Sequence, residues 1–162
     1  MKKNKNDRAL GILAPLTCLP GQEGVGTFGK EAYQFVDLLS SHGIKIWQIL
    51  PLNPIGYGHS PYQPYSSFAL DEQFISLEGL YEEGLLSSFI SFPSYSDRID
   101  YEAVHAYKRK ELKKVFLQNK EKAMKEMEHF KKEKDWAEAW GVFSALHHHY
   151  QTSWEHWLSP RP

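Results

Sequence analysis

The stretch from Pro51 to Phe68 holds the residues best suited to chemistry. It places Tyr57, Tyr62, Tyr65 and Phe68 among Asn53, His59, Ser60, Gln63, Ser66 and Ser67. Flat apolar rings mixed with neutral hydrogen-bonding groups suit a polyhydroxylated, uncharged ligand such as a sugar, whose C–H faces stack while its hydroxyls pair. No acid falls within residues 51–70, so the stretch offers binding and not proton transfer. A plainer reading is a rigid Pro- and Gly-rich surface loop whose tyrosines pack on the core, and residue types alone leave both open.

Other candidates carry less. Asp37, Asp71, Glu72, Glu78, Glu82 and Glu83 read as solvated surface acids without a catalytic role. His147, His148 and His149 are consecutive, and adjacent helical residues point about 100° apart, so the three do not share one ion and no metal site is expected. Residues 21–26 are Gly-rich but lack the spacing and the Lys of a phosphate-binding loop. Trp136, Trp140 and Phe143 sit at helical spacing and read as core. The charges at 120–134 read as a solvated helix face. Cys18 reads as a buried, inert thiol.

Behind the loop stand the elements that must position it. Leu10 to Leu13, ended by Pro15, reads as a short buried strand. A helix is expected from about Lys30 to His42, because Ala32, Phe35, Val36 and Leu39 share one face and Gly43 is placed to end it. Ile44 to Leu50, stopped by Pro51, reads as a second strand. Strand, helix, strand with short links makes a βαβ unit with parallel strands, and apolar residues on both strand faces fit a sheet covered on both sides. The loop then leaves the C-terminal end of the second strand, where parallel α/β folds place their binding loops.

Past Asp71 the pattern becomes helical. Residues 77–86 form a short element and 87–100 a Ser-rich loop. A charged helix runs from Tyr101 to about Lys134, broken once, with Val104, Leu112, Val115, Phe116, Met124 and Met127 as its apolar stripe. A last helix spans about Asp135 to Tyr150. Residues 1–8 read as a disordered start.

A chain of 162 residues can build one ordinary core. Its net charge of −1, from 19 basic and 20 acidic residues, gives no electrostatic case for nucleic acid or a membrane surface. A single cysteine excludes an internal disulfide and fits a reducing compartment. No signal-like h-region follows the basic start, and no apolar run approaches the ~20 residues of a membrane span, so a cytoplasmic location is expected.

Three segments together resemble the amylomaltases, the 4-α-glucanotransferases also called disproportionating enzymes. They are Gly11-Ile12-Leu13 with Leu19-Pro20-Gly21 and Gly24-Val25-Gly26; Trp47-Gln48-Ile49-Leu50-Pro51-Leu52-Asn53-Pro54; and Gly56-Tyr57-Gly58-His59-Ser60-Pro61-Tyr62-Gln63 with Ser67-Phe68-Ala69. A weaker likeness runs through Trp140–Ala145 and Trp154–Trp157. The resemblance implies an α/β fold: the beginning of a (β/α)8 barrel, about two parallel strands over residues 9–70, then a mainly α-helical insertion subdomain over 71–162. It implies transfer of part of an α-1,4-glucan to the 4-hydroxyl of glucose or another glucan, without a cofactor. Matched position by position, Ser60 and Tyr62 would line the subsite beside the cleaved bond, and Tyr57 would stack a second glucan. Gln63 belongs to the same substrate-binding stretch.

The likeness has departures. His59 stands where an Asp is usual, and Leu70-Asp71-Glu72 stands where Gly-Asn-Pro is usual. The barrel is incomplete, since a full one takes ~250 residues. Retaining transfer needs two carboxyl groups about 5–5.5 Å apart. The resemblance puts these on later strands, so this chain is expected to hold no catalytic residue and to be inactive alone. Its partners are then an α-1,4-glucan or maltooligosaccharide, and the missing C-terminal part of the enzyme. A hydrolase of the same superfamily, a non-catalytic glucan-binding module and a truncated product stay open as alternatives.

Overall fold

The computed structural model describes residues 8–93 and 97–157, with the side chain of Tyr57 excepted. Of the expected disordered start, residues 1–7 lie outside the described residues. The elements in chain order are β1 (Gly11–Leu13), α1 (Lys30–Ser41), β2 (Ile46–Gln48), α2 (Leu77–Glu82), α3 (Tyr101–Gln118), α4 (Lys120–Glu133) and α5 (Ala137–Tyr150). Short 3-10 turns at Leu16–Cys18, Tyr57–His59, Glu72–Phe74 and Trp154–His156 punctuate the links.

The expected βαβ unit is present. β1 and β2 pair in parallel, with Ile12 opposite Trp47. The Ala14 N–H to Gln48 O bond (3.0 Å) and the Lys45 N–H to Leu10 O bond (2.9 Å) extend the pairing at both ends. The crossover helix α1 stops as its sequence predicts. Gly43 takes φ +73°, its N–H bonds Ser40 O, and the Ile44 N–H reaches back to Leu39 O. Those two bonds satisfy carbonyls the helix end would leave bare, and only glycine adopts that φ without steric cost. α2 repeats the device with Gly84 at φ +73° and the Leu85 N–H on Leu80 O.

The core lies at the C-terminal end of the strands. Leu16, Leu19, Ala32 and Phe74 are buried together, with Phe35, Trp47 and Leu52 packed against them. Trp47 meets Phe35 edge-on at 5.0 Å, and its indole N–H donates to Ala14 O at 2.8 Å. Here the strand expectation needs correcting. All of β1 is exposed, Ile46 is 51% exposed, and among the described residues nothing covers both faces of the sheet. Apolar strand composition records what a strand is suited to face, not what this chain supplies.

α3 carries the rest of the packing. The Asp100 carboxylate caps it by accepting from the Ala103 N–H at 3.0 Å. Val104 and Lys108 are fully buried and Glu111 nearly so, all on one helical face. Lys108 pairs with Glu23 and also donates to Ile75 O at 2.7 Å. The Glu23 carboxylate accepts from the Leu77 and Glu78 N–H groups and the Ser76 hydroxyl, at 3.0, 3.2 and 3.1 Å, where α2 begins. The loop at 21–26, set aside as a phosphate binder, thus delivers a buried carboxylate that caps one helix and grips another. Burial pushes the Lys108 ammonium below its ordinary pKa, and Glu23 opposes that shift.

The charged helix breaks at Asn119, as expected of one interruption. Beyond it the predicted stripe is not buried: α4 has no buried residue, and Met124 and Met127 are exposed. α5 has none either. Trp136 at its N-cap, and Trp140 and Phe143 within it, are half-buried in an aromatic cluster instead of a sealed core. Among the described residues no helix is long and apolar enough to cross a membrane.

Candidate functional site

The site is built on the loop that leaves β2. Its base is closed by backbone bonds: Asp71 N–H to Leu52 O (2.9 Å), Tyr65 N–H to Pro54 O (2.9 Å) and Gly56 N–H to Gln63 O (3.1 Å). The last requires glycine, since a Cβ at Gly56 would sit 2.5 Å from Gln63 O. Side chains add further ties. The Asn53 amide donates to Ala69 O at 2.9 Å, and the Ser66 hydroxyl accepts from the Ala69 N–H at 3.0 Å. A loop with this many internal bonds has already lost the entropy that binding would otherwise remove.

At the tip the structure brings Ser60, Tyr62 and Gln63 onto one turn. The Gln63 N–H donates to Ser60 O at 3.2 Å, and the Ser60 hydroxyl accepts from the Tyr62 N–H at 3.3 Å. Tyr62 is 71% exposed, and Gln63 is exposed. Tyr57 has its backbone in the adjacent 3-10 turn, while its side chain lies outside the described residues. The plainer packing reading applies to two other rings. Tyr65 meets the rings of Phe143 (6.0 Å) and His147 (4.7 Å), and Phe68 stacks on Trp136 at 6.0 Å. The loop therefore divides its aromatics by contact and not by burial: Tyr65 and Phe68, 45% and 68% exposed, rest against rings at the start of α5 and within it, and Tyr62 is left to solvent.

A stripe of α3 clamps the other side of the loop. His59 holds φ +53°, a left-handed conformation costing about 1–2 kcal/mol, and stacks on Tyr101 at 5.3 Å. One turn on, His105 Nε2 lies 3.8 Å from Asp71 Oδ2. Another turn on, Arg109 Nε donates to Glu72 Oε1 at 3.0 Å. The spacing of four places all three on one face, and Val104 and Lys108 on the neighbouring one. Between the loop, α3 and α5 lies an open cleft of about 480 Å³. A second hollow of about 260 Å³ sits at the strand ends, lined by Leu16, Leu50, Leu52, Phe74 and Tyr101.

Two sequence expectations are corrected here. Asp71 is not a solvated acid: it is 3% exposed, and it accepts from the Gln73 N–H (2.9 Å), the Gln73 amide (3.2 Å) and the Ile55 N–H (3.4 Å). Its burial raises its pKa, which the Gln73 N–H and His105 oppose. Cys18 is exposed and lines the smaller hollow, because the turn at Leu16–Cys18 turns Leu16 inward in its place. The three consecutive histidines diverge: His147 joins the ring cluster, His148 Nδ1 pairs with Arg109 Nη1 at 2.8 Å, and His149 meets the edge of Tyr150. Sequence reasoning did not single out Tyr101, His105 or Arg109, although their i, i+4, i+8 spacing was a readable signal.

Of the three acids along the cleft, Asp71 is occupied by its donors and Glu72 by Arg109, while Glu102 stands exposed on α3. The arrangement can hold a ligand; among the described residues the cleft does not present two free carboxyl groups for glycosyl transfer.

A family model described as 4-alpha-glucanotransferase matches residues 14–161. A 4-alpha-glucanotransferase of Thermus thermophilus is 40% identical over 160 residues, covering 94% of this chain and 32% of that protein. One from a Synechocystis strain is 38% identical over 159 residues, covering 93% and 32%. Among solved structures, amylomaltase from Streptococcus agalactiae in complex with acarbose superposes with a TM-score of 0.86 at 34% identity, covering 94% of this chain and 32% of that one. The chain thus spans about a third of the length of these relatives.

Proposed function

The chain belongs to the 4-alpha-glucanotransferase family, and on that premise we propose that it supplies the glucan-binding N-terminal part of an enzyme that transfers a segment of an α-1,4-glucan to the 4-hydroxyl of glucose or another glucan. The observation that carries this reading is the loop tip. Tyr62 stands exposed on a turn fixed by Ser60, Gln63 and Gly56, at the C-terminal end of a parallel strand. An exposed ring on a turn whose backbone is fixed, beside hydroxyl and amide groups, suits a glucosyl unit. We assign substrate contact to Tyr57, Ser60, Tyr62 and Gln63.

In this proposal β1, α1 and β2 begin a (β/α)8 barrel, and residues 71–157 form a helical subdomain bordering the cleft. The exposed sheet supports that view, since its apolar faces suit further barrel elements. The transfer step itself belongs to two carboxyl groups outside this chain, so the chain alone binds maltooligosaccharide without turning it over. The enzyme needs no cofactor, and we place it in the cytoplasm.

Incubation of the 162-residue protein with maltotriose should yield neither glucose nor longer oligosaccharides, while maltoheptaose binds saturably in a calorimeter. Tyr62→Ala should weaken that binding about tenfold, the loss of about 1.4 kcal/mol of ring contact. Glucose release by the chain alone would overturn the division of labour. Binding indifferent to Tyr62 would remove the loop from the site.

A further inference from the structure

Asp71 is more than a buried acid. It stands at the junction of three parts: the loop, through the Ile55 N–H; the turn at residues 72–74, through both Gln73 donors; and α3, through His105. Ile55 in turn bridges to Pro64, so a tie at Ile55 bears directly on the segment between them, which contains Ser60, Tyr62 and Gln63. We propose that Asp71 is a positioning residue for the proposed glucan-binding loop: its carboxylate ties the loop base at Ile55 to α3 at His105, and protonating it loosens glucan held at the loop tip. This inference rests on the glucan-binding reading of that loop.

The chemistry of the carboxylate decides what a proton does. Ionised, Oδ2 is where the Ile55 N–H, the Gln73 amide and His105 converge. A proton taken from solvent onto Oδ2 turns that oxygen into a donor, which now needs an acceptor. One is at hand. Gln73 Oε1 is buried without a hydrogen-bond partner, on the same side chain whose amide nitrogen faces Oδ2. Rotating that amide by half a turn brings Oε1 against the new hydroxyl. The Ile55 N–H and His105 then lose their shared anion, and the loop base is left to its backbone bonds at Leu52, Pro54 and Gln63 and the Asn53 and Ser66 ties to Ala69, none of which reaches α3.

Other charges bear on this site. Glu72, next in sequence, disfavours ionisation of Asp71, and His105 favours it. Glu102 and Arg109 of α3, and His147 and His148 of α5, share the cleft, with His59 on the loop. Glu83, just past α2, lines another hollow that Asp71 also borders.

The direction in pH follows. Burial raises the Asp71 pKa above the ordinary aspartate value, so protonation sets in at a higher pH than for an exposed Asp. Glucan binding should therefore weaken as pH falls through that raised value. The linked contribution to folding runs the other way. A raised folded-state pKa gives stability that is full below the unfolded value and lost as pH rises through the folded one. Acidification thus strengthens this group's share of folding while weakening binding, a divergence that a merely structural role for Asp71 does not produce.

The test follows maltoheptaose affinity by calorimetry, and the Ile55 amide resonance by NMR, from pH 7.5 down to the acid limit of folding. In the unaltered protein both should change together, with affinity falling about tenfold, the worth of one charge-assisted hydrogen bond. Asp71→Asn should be flat in both, at the weak-binding level. His105→Gln should keep the transition but move its midpoint upward, because His105 holds the Asp71 pKa down. Affinity that ignores pH while maltoheptaose still binds overturns the role of Asp71 alone. A transition that survives Asp71→Asn but vanishes in His105→Gln assigns it to the imidazole and overturns it too. No maltoheptaose binding at any pH overturns the glucan reading, and this inference with it.

Discussion

Replacing Lys108 by Met tests the packing logic most directly. The Lys108 side chain is fully buried and that of Glu23 is 5% exposed, so solvent screens neither charge. Removing the ammonium strips Glu23 of its counter-charge and Ile75 O of its donor, while the Leu77, Glu78 and Ser76 donors remain. Breaking a buried pair from one side costs about 3–5 kcal/mol, since the survivor's desolvation is no longer offset. For a domain of this size that lowers Tm by about 6–20 °C. The double variant Glu23→Gln/Lys108→Met removes the stranded charge and keeps an amide oxygen for the α2 N–H groups. It should be more stable than Lys108→Met alone by roughly 2 kcal/mol. Urea unfolding followed by circular dichroism on both single variants and the double variant closes the cycle. If the two single losses simply add, the pair is not coupled, and the account of how the Gly-rich loop, α2 and α3 are held together is wrong.

Two further outcomes follow from particular contacts. The Tyr107 hydroxyl donates to Ile90 O at 2.6 Å, and burial, then Glu23 and Glu111, push its pKa up to about 12. Its stabilising share is therefore full below the ordinary phenol value of about 10 and is lost as pH rises through about 12; absorbance titration at alkaline pH should show a late tyrosine that Tyr107→Phe removes. A Cβ on Gly26 would lie 1.9 Å from the Leu16 carbonyl oxygen, so Gly26→Ala must push apart the segment that seats Leu16 in the core; a loss of about 2 kcal/mol or more in urea unfolding is expected.

Much of this was legible in advance because it is local. The amphipathic face of α1 and Gly43 fix a helix and its end, and Pro51 through Phe68 announce a loop. The break at Asn119 lies inside the helix that the pattern allowed to break once. What escaped depends on partners distant in sequence. Asp71 and Glu72 look alike in the chain, yet one is sealed under His105 and the other reaches Arg109. Glu23 and Lys108 are 85 residues apart, and no local pattern pairs them. Tyr65, Tyr62 and Phe68 belong to one aromatic group in sequence and all three are exposed; only the position of α5 gives two of them a ring to rest on. The substrate contacts assigned to Tyr57, Ser60, Tyr62 and Gln63 rest on motif resemblance, and those of Ser60, Tyr62 and Gln63 on loop geometry as well.

The two faces of α3 have a consequence for how such a chain can change over generations. One stripe meets the loop through Tyr101, His105 and Arg109, and its neighbour meets the buried interior through Val104, Lys108 and Glu111. A single residue inserted between Tyr101 and Arg109 would turn everything beyond it by about 100°. Placed just after Tyr101, it would leave the contact with His59 while turning away the ties to Asp71 and Glu72, and it would swing an ammonium out of its hole. Both stripes would fail from one event, so this helix admits exchange of side chains but no change in length. α4 buries nothing, yet it carries α5, whose rings meet Tyr65 and Phe68, so a change in its length must return those rings to the loop. The first three turns of α3 should keep count.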